Sequence, residues 1–161
     1  MRLADEFNTR LVAGSDDDQR YNGQRMEQLL SVVLSHISED EQASILRNLE
    51  LIRYGGGEVE CIRYDYGPLS ITTPITIESG DGRCRVCFTL GISSKDATLQ
   101  YGLAHELAHV FFNHPYTGKP ERVACREAHA KARKWGFEPD PSDKGRIKHY
   151  QEWETEDYGG V

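Results

Sequence analysis

The chain lacks what a membrane or secreted protein carries. No apolar run approaches the roughly 20 residues that a bilayer-spanning helix requires, and the opening MRLADEFNTR has no apolar signal-peptide core. Four cysteines (Cys61, Cys84, Cys87 and Cys125) are too few and too scattered for the disulfide framework of a small secreted domain. These absences predict a cytoplasmic protein with no membrane partner, most of whose thiols are buried and reduced. A basic excess is missing too. The formal net charge of −7 argues against a surface that tracks phosphates and makes a nucleic-acid partner unexpected. A local basic patch is confined to Arg122, Arg126, Lys131, Arg133 and Lys134. There is no internal repeat, no low-complexity tract and no recognisable helix-turn-helix.

What is present suffices for one domain, since 161 residues can bury a core without staples. The most informative stretch is Leu103-Ala104-His105-Glu106-Leu107-Ala108-His109-Val110-Phe111-Phe112, a helix carrying H-E-x-x-H. At 3.6 residues per turn, His105 and His109 lie one above the other on one face. Two imidazoles so placed can close on one metal, leaving positions for a third ligand and a water. Glu106, beside the first of them, can take that water's proton. Every other residue from Leu103 to Phe112 is small or apolar, which sets the motif in a dry wall.

The rest of the pattern predicts an α+β domain. Residues 1–22 read as a short polar N-terminal helix or arm followed by a loop, with Gly14-Ser15-Asp16-Asp17-Asp18 as a break. From Gln24, the residues Met26, Leu29, Leu30, Val33, Leu34 and Ile37 form a helical stripe. Ser38 and Glu41 suggest a capping box opening a second helix to about Arg53, with Ile45, Leu46, Leu49 and Ile52 inward. Strands of period two are expected over Glu58–Tyr64, Ser70–Ile77 (Pro74 marking an edge or bulge) and Arg83–Leu90, the last two joined at Gly80-Asp81-Gly82. The expectation is a helical N-terminal half, a small, mostly antiparallel three-stranded sheet, and the H-E-x-x-H helix starting near Ala97. A last helix runs from Pro120 at its first position to Trp135 and closes at Gly136. Residues 23–138 thus form the domain, and 139–161 a polar, acidic tail on which Trp153 and Tyr158 are candidates for docking.

Cys84-Arg85-Val86-Cys87 is a C-x-x-C, a candidate half of a structural zinc site with Cys61 and Cys125. Residues three apart on a strand face opposite sides, which disfavours it. His114 and Tyr116, after the motif helix, are candidates to lie over the cleft and donate a proton to an oxyanion. Trp135 and Phe137 are expected in the core.

With the last helix placed, Arg83 to Phe137 resembles the ImmA/IrrE-like family of small, gluzincin-like zinc metallopeptidases of bacteria and phages. The residues that carry the resemblance are His105-Glu106-Leu107-Ala108-His109 and the segment Arg126-Glu127-Ala128-His129-Ala130-Lys131-Ala132-Arg133-Lys134-Trp135-Gly136-Phe137. That segment looks like the family's second helix, E-x-E-A-D-x-x-A-x-x-W-G-F, which bears the third ligand. The match departs from the pattern by placing Cys125 where the ligand Glu stands and His129 in the Asp slot. Glu121, Cys125 and His129 are spaced four apart on one helical face, and Glu127 lies off it. Cys125 ranks first by register and would give a His₂Cys site. Glu121 would give His₂Glu with a one-turn shift, and His129 three histidines, as in SprT-like proteases.

The resemblance implies Zn²⁺ as cofactor, Glu106 as catalytic base and His105 and His109 as metal ligands, with Cys125 first, Glu121 second and His129 third as candidates for the remaining ligand. It also implies hydrolysis of a peptide bond in a protein substrate, such as a transcriptional repressor of a stress or prophage circuit. The strand Arg83–Leu90 is expected to be the edge along which an extended peptide pairs. Two other classes stay open: a metal-binding regulatory or interaction module without turnover, and a SprT-like protease acting at DNA.

Overall fold

The computed structural model describes residues 2–63, 67–91 and 95–142. The acidic tail with Trp153 and Tyr158 lies outside them.

The first stripe is buried as its spacing predicts, but its helix starts well before Gln24. Helix α1 is Leu3–Thr9 and strand β1 is Leu11–Ala13; helix α2 then spans Asp16–Leu34. Ser15 is the N-cap of α2, its hydroxyl accepting from the Asp18 amide at 3.1 Å, and Asp16, Asp17 and Asp18 fill the positive first turn. The apparent break is therefore a helix start. Of the two N-terminal readings, the short helix is the one found, as α1, and it belongs to the body: Phe7 is wholly buried, and β1 adds a strand to the main sheet.

Helix α3, Glu39–Asn48, is capped by Ser38, whose hydroxyl accepts from the Glu41 amide at 3.3 Å. The Glu41 side chain pairs with Lys131 and accepts from Trp135 Nε1 at 3.3 Å, tying α3 to the end of the last helix. The helix was expected to reach Arg53 and stops at Asn48. Leu49–Gly55 is strand β2, inserted in parallel between β1 and β6 (Cys84–Thr89). Leu49 and Ile52 are buried as expected, but a strand with a partner on each side satisfies its backbone in the sheet and not in a helix turn.

The expected three-stranded sheet is replaced by two sheets. The larger is mixed and four-stranded, in the order β1-β2-β6-β5, with β5 (Ile75–Glu78) antiparallel to β6 across the Gly80–Gly82 turn. The smaller is a hairpin of β3 (Val59–Arg63) and β4 (Gly67–Ile71). Pro74 stands in the break between β4 and β5, so the single strand expected over Ser70–Ile77 is two. β6 is central, and the edge beside it is β5. This corrects the expectation that Arg83–Leu90 forms the edge.

Helix α4, Asp96–Phe112, carries the motif and is buried nearly all round between the sheet, α2, α3 and α5 (Glu121–Lys134). Its Leu103, Leu107 and Val110 join Leu30, Ile45, Ile52, Phe88 and Trp135 in the main core. Pro120 is the cap of α5 and not its first helical residue. Gly136, at φ 98°, ends that helix with its amide bonded to Arg133 O at 2.9 Å and the Phe137 amide to Ala132 O at 3.0 Å. On α5, Lys131 is paired with Glu41 and Arg133 with Glu138, so part of the basic patch is neutralised.

The opposite face of β5 and β6 is covered by the β3–β4 hairpin through Val59, Cys61, Ile77 and Cys87. Cys84 and Cys87 point to opposite faces of β6, Cys84 into the main core, as the strand period requires. A disulfide joins Cys61 to Cys87, while Cys84 and Cys125 are free. The expectation of reduced thiols therefore fails for the pair that faces each other across the second core. The four-cysteine zinc site is not formed. No helix among the described residues is long and apolar enough to cross a membrane.

Candidate metal centre

The apolar run around H-E-x-x-H forces α4 inward, and three polar side chains go with it: His105 and His109 are each 9 % exposed and Glu106 5 %. One helical turn brings the two Nε2 atoms to 3.1 Å. Helix α5 packs against α4 and delivers Cys125, whose Sγ is 3.8 Å from His109 Nε2. Ligand atoms of His105, His109 and Cys125 all fall within 4.8 Å of one another, so the three form a cluster that could hold a metal ion.

The donor set fits a divalent ion of the zinc type. Tetrahedral bonds of about 2.0–2.1 Å to nitrogen and 2.3 Å to sulfur place two nitrogens about 3.3 Å apart and nitrogen and sulfur about 3.6 Å apart. The observed 3.1 and 3.8 Å are close to that without any backbone movement. The other two candidates for third ligand lie elsewhere. Glu121 is exposed at the start of α5 and only borders the cleft. His129 is buried with its Nδ1 2.7 Å from the Tyr101 hydroxyl, which is itself 3.4 Å from His105 Nδ1. His129 thus backs a ring of the cluster from behind.

Second contacts surround the cluster. Asn113 adopts a left-handed conformation at φ 53° and turns the chain sharply into the short 3-10 helix His114–Tyr116. That turn tucks His114 behind His109, Nδ1 to Nδ1 at 2.9 Å. The Tyr116 hydroxyl donates to Arg83 O at 2.8 Å and accepts from the Ser79 and Gly80 amides, pinning the turn to the β5–β6 hairpin. Of the two expected proton donors, His114 lines the cleft with its Nδ1 turned to His109, while the Tyr116 hydroxyl is engaged with the hairpin. From the edge strand, the Thr76 hydroxyl lies 3.2 Å from Glu106 Oε1.

Burial dominates the electrostatics. It pushes the Glu106 carboxyl up to about 7, with the Thr76 hydroxyl pulling the other way. It pushes His109 down to about 3, helped by the neighbouring His114, so that ring is neutral and offers a lone pair. The Cys125 thiol is pushed up to about 12 by burial and then by Glu106 and Glu121. A cation at the cluster would reverse the shifts of both acids, favouring carboxylate and thiolate.

The cluster opens on a cleft of about 790 Å³ whose walls include Arg63, Ile75, Thr76, Glu78, Lys119 and Glu121. Its chemistry suits a metal with an open coordination position beside a buried carboxylate.

All four sequence-predicted site residues, His105, Glu106, His109 and Cys125, line this cleft. Sequence reasoning missed Tyr101 and Thr76. Tyr101 had a signal, since it lies one turn before His105 on the same helical face. Thr76 had none, because strand pairing alone brings it to α4. No family model matches the chain, and no curated protein or solved structure matches it either.

Proposed function

We propose that the protein is a zinc-dependent metallopeptidase that hydrolyses a peptide bond in a protein substrate, with zinc held by His105, His109 and Cys125. The observation that carries the reading is the buried cluster of two imidazoles and a sulfur with Glu106 beside it at the floor of an open cleft. The resemblance of the two helices to ImmA/IrrE-like peptidases supports it, with a regulatory protein such as a repressor as the substrate class.

When bound, zinc would act as the Lewis acid that polarises the scissile carbonyl and acidifies a water. Glu106 takes the proton of the attacking water and passes it to the leaving amine. Burial raises its carboxyl in the metal-free protein, and a cation at the cluster would lower it again and keep the carboxylate available as the base. The Thr76 hydroxyl holds the carboxylate against the edge strand and so toward the cleft. Among the described residues β5 has a single strand neighbour, β6, and its Ile75–Glu78 run lines the cleft. An extended substrate pairs with that edge, which brings its backbone past Glu106. The apolar flanks Leu103, Ala104, Leu107 and Ala108 exclude bulk water from behind the centre.

The experiment is cleavage of an unfolded protein substrate such as casein by the zinc-loaded protein and by Glu106→Gln. The variant should retain the metal and lose cleavage, since an amide cannot accept the water's proton. Equal cleavage by both, or none by the wild type with zinc bound, would remove the peptidase assignment.

A further inference from the structure

We infer that His114, backed by Glu127, is a positioning residue that fixes the tautomer of His109 and thereby sets the metal affinity of the centre. This rests on the metal-centre reading above and deepens it.

The argument is an inventory of protons. His109 Nδ1 and His114 Nδ1 are 2.9 Å apart, so one carries the proton and the other the lone pair. The other nitrogen of His109, Nε2, faces His105 Nε2 at 3.1 Å and Cys125 Sγ at 3.8 Å and is the atom turned to the cluster. A neutral imidazole that offers Nε2 as a ligand keeps its proton on Nδ1. His109 therefore donates and His114 accepts, which leaves the proton of His114 on its own Nε2.

That nitrogen is buried, without a formed hydrogen bond, and faces Glu127 Oε1 at 3.4 Å. Glu127 is held in turn by Lys119 Nζ at 2.7 and 3.0 Å. A carboxylate there favours the proton on His114 Nε2, which makes its Nδ1 the better acceptor and His109 the more basic ligand.

The ring is held in place. His114 stacks on Phe112 with centroids 5.0 Å apart, and Asn113 and Tyr116 anchor the turn on either side of it. Glu127, off the ligand face of α5, acts on the centre through this second ring. The chain Lys119, Glu127, His114, His109 links α5 and the loop before it to the motif helix, so that packing of the two helices and metal affinity are coupled.

The test is zinc affinity by competition with a chromogenic chelator, with thermal melting of the metal-free proteins alongside. His114→Leu removes the acceptor and should weaken zinc about 10–100-fold, the usual cost of losing such a contact. His114→Asn places an amide oxygen near the former Nδ1 and should recover most of that loss. Glu127→Gln should weaken zinc in the same direction, by less. A purely structural role would lower the melting temperature of the metal-free protein and show no rescue by Asn.

Should His114→Leu fail to fold, long-range ¹H–¹⁵N spectra of the zinc-loaded wild type decide. They should place the protons on His109 Nδ1 and His114 Nε2, and the opposite tautomers would overturn the inference. Full affinity in a folded His114→Leu would overturn it alone, leaving the metal centre standing. A wild type that binds no zinc would remove the metal centre and this inference together.

Discussion

The hydroxyl of Thr76 stands 3.2 Å from Glu106 Oε1, joining the edge strand β5 to the carboxylate of the motif helix. A side chain of the strand proposed to receive the substrate thus also holds the proposed base. Substrate pairing and base orientation therefore share one contact.

Thr76→Val should lower kcat about tenfold, the lower end of the loss expected for a hydrogen bond to a charged group. The hydroxyl bond lowers the Glu106 pKa, so its removal should move the acid limb of the pH–rate profile upward. Thr76→Ser should restore both. A pH profile of the three proteins checks this, and an unmoved acid limb in Thr76→Val would count against the contact.

Metal-free stability should carry the mark of Glu106. Its folded pKa, about 7, lies above the ordinary carboxylate value of 4.5. The folded state therefore holds the proton more tightly, and the contribution is fully present below pH 4.5 and lost as pH rises through 7. Glu106→Gln removes the loss. In the metal-free state it should match the wild type near pH 4 and be more stable at pH 8, by up to about 3 kcal/mol. Chemical denaturation of the two proteins across that range reads it, and parallel curves would refute the buried-carboxylate account.

Zinc binding should release a proton from Cys125. The thiol is held up to about 12, and His109 is already neutral, so above pH 7 the thiol is the ligand that must deprotonate. Affinity should fall about tenfold for each pH unit between 9 and 8. Calorimetry in buffers of different ionisation enthalpy should give about one proton per zinc. Ligation by the exposed Glu121 would release none.

The Cys61–Cys87 bridge closes a sequence separation of 26 residues and fastens the β3–β4 hairpin over β5 and β6. Cys61→Ala should cost about 3 kcal/mol by loop-closure entropy. Zinc stoichiometry should not change, since neither sulfur belongs to the His105–His109–Cys125 cluster. Denaturation with metal analysis before and after reduction checks both halves.

Local signals and long-range ones differ in how well they could be read from the sequence. The motif helix, the stripe of α2, the Ser38 cap and the Gly136 stop rest on contacts within a few residues, and these were legible. The side chains of His105, Glu106, His109 and Cys125 meet because two helical registers coincide, which spacing and the family resemblance together indicated.

The sheet was not legible in the same way. Leu46, Leu49 and Ile52 fit a helix face, and only the parallel partners β1 and β6 turn Leu49–Gly55 into a strand. The Ser15 cap was hidden by Gly14 before it and Gly23 within α2, which together look like loop. The place of His114 depends on the left-handed Asn113, and the Cys61–Cys87 pairing on one sheet lying over another. Neither leaves a periodic trace in the sequence.

The most direct test of the central claim is zinc X-ray absorption on the metal-loaded protein. The first shell should contain two imidazole nitrogens at about 2.0–2.1 Å and one sulfur at about 2.3 Å, with the remaining position filled by a light atom. In Cys125→Ser the sulfur signal should vanish and the affinity drop, while Glu121→Gln and His129→Ala should keep the wild-type spectrum. A first shell with no sulfur, or with a third imidazole, would contradict the His105–His109–Cys125 centre.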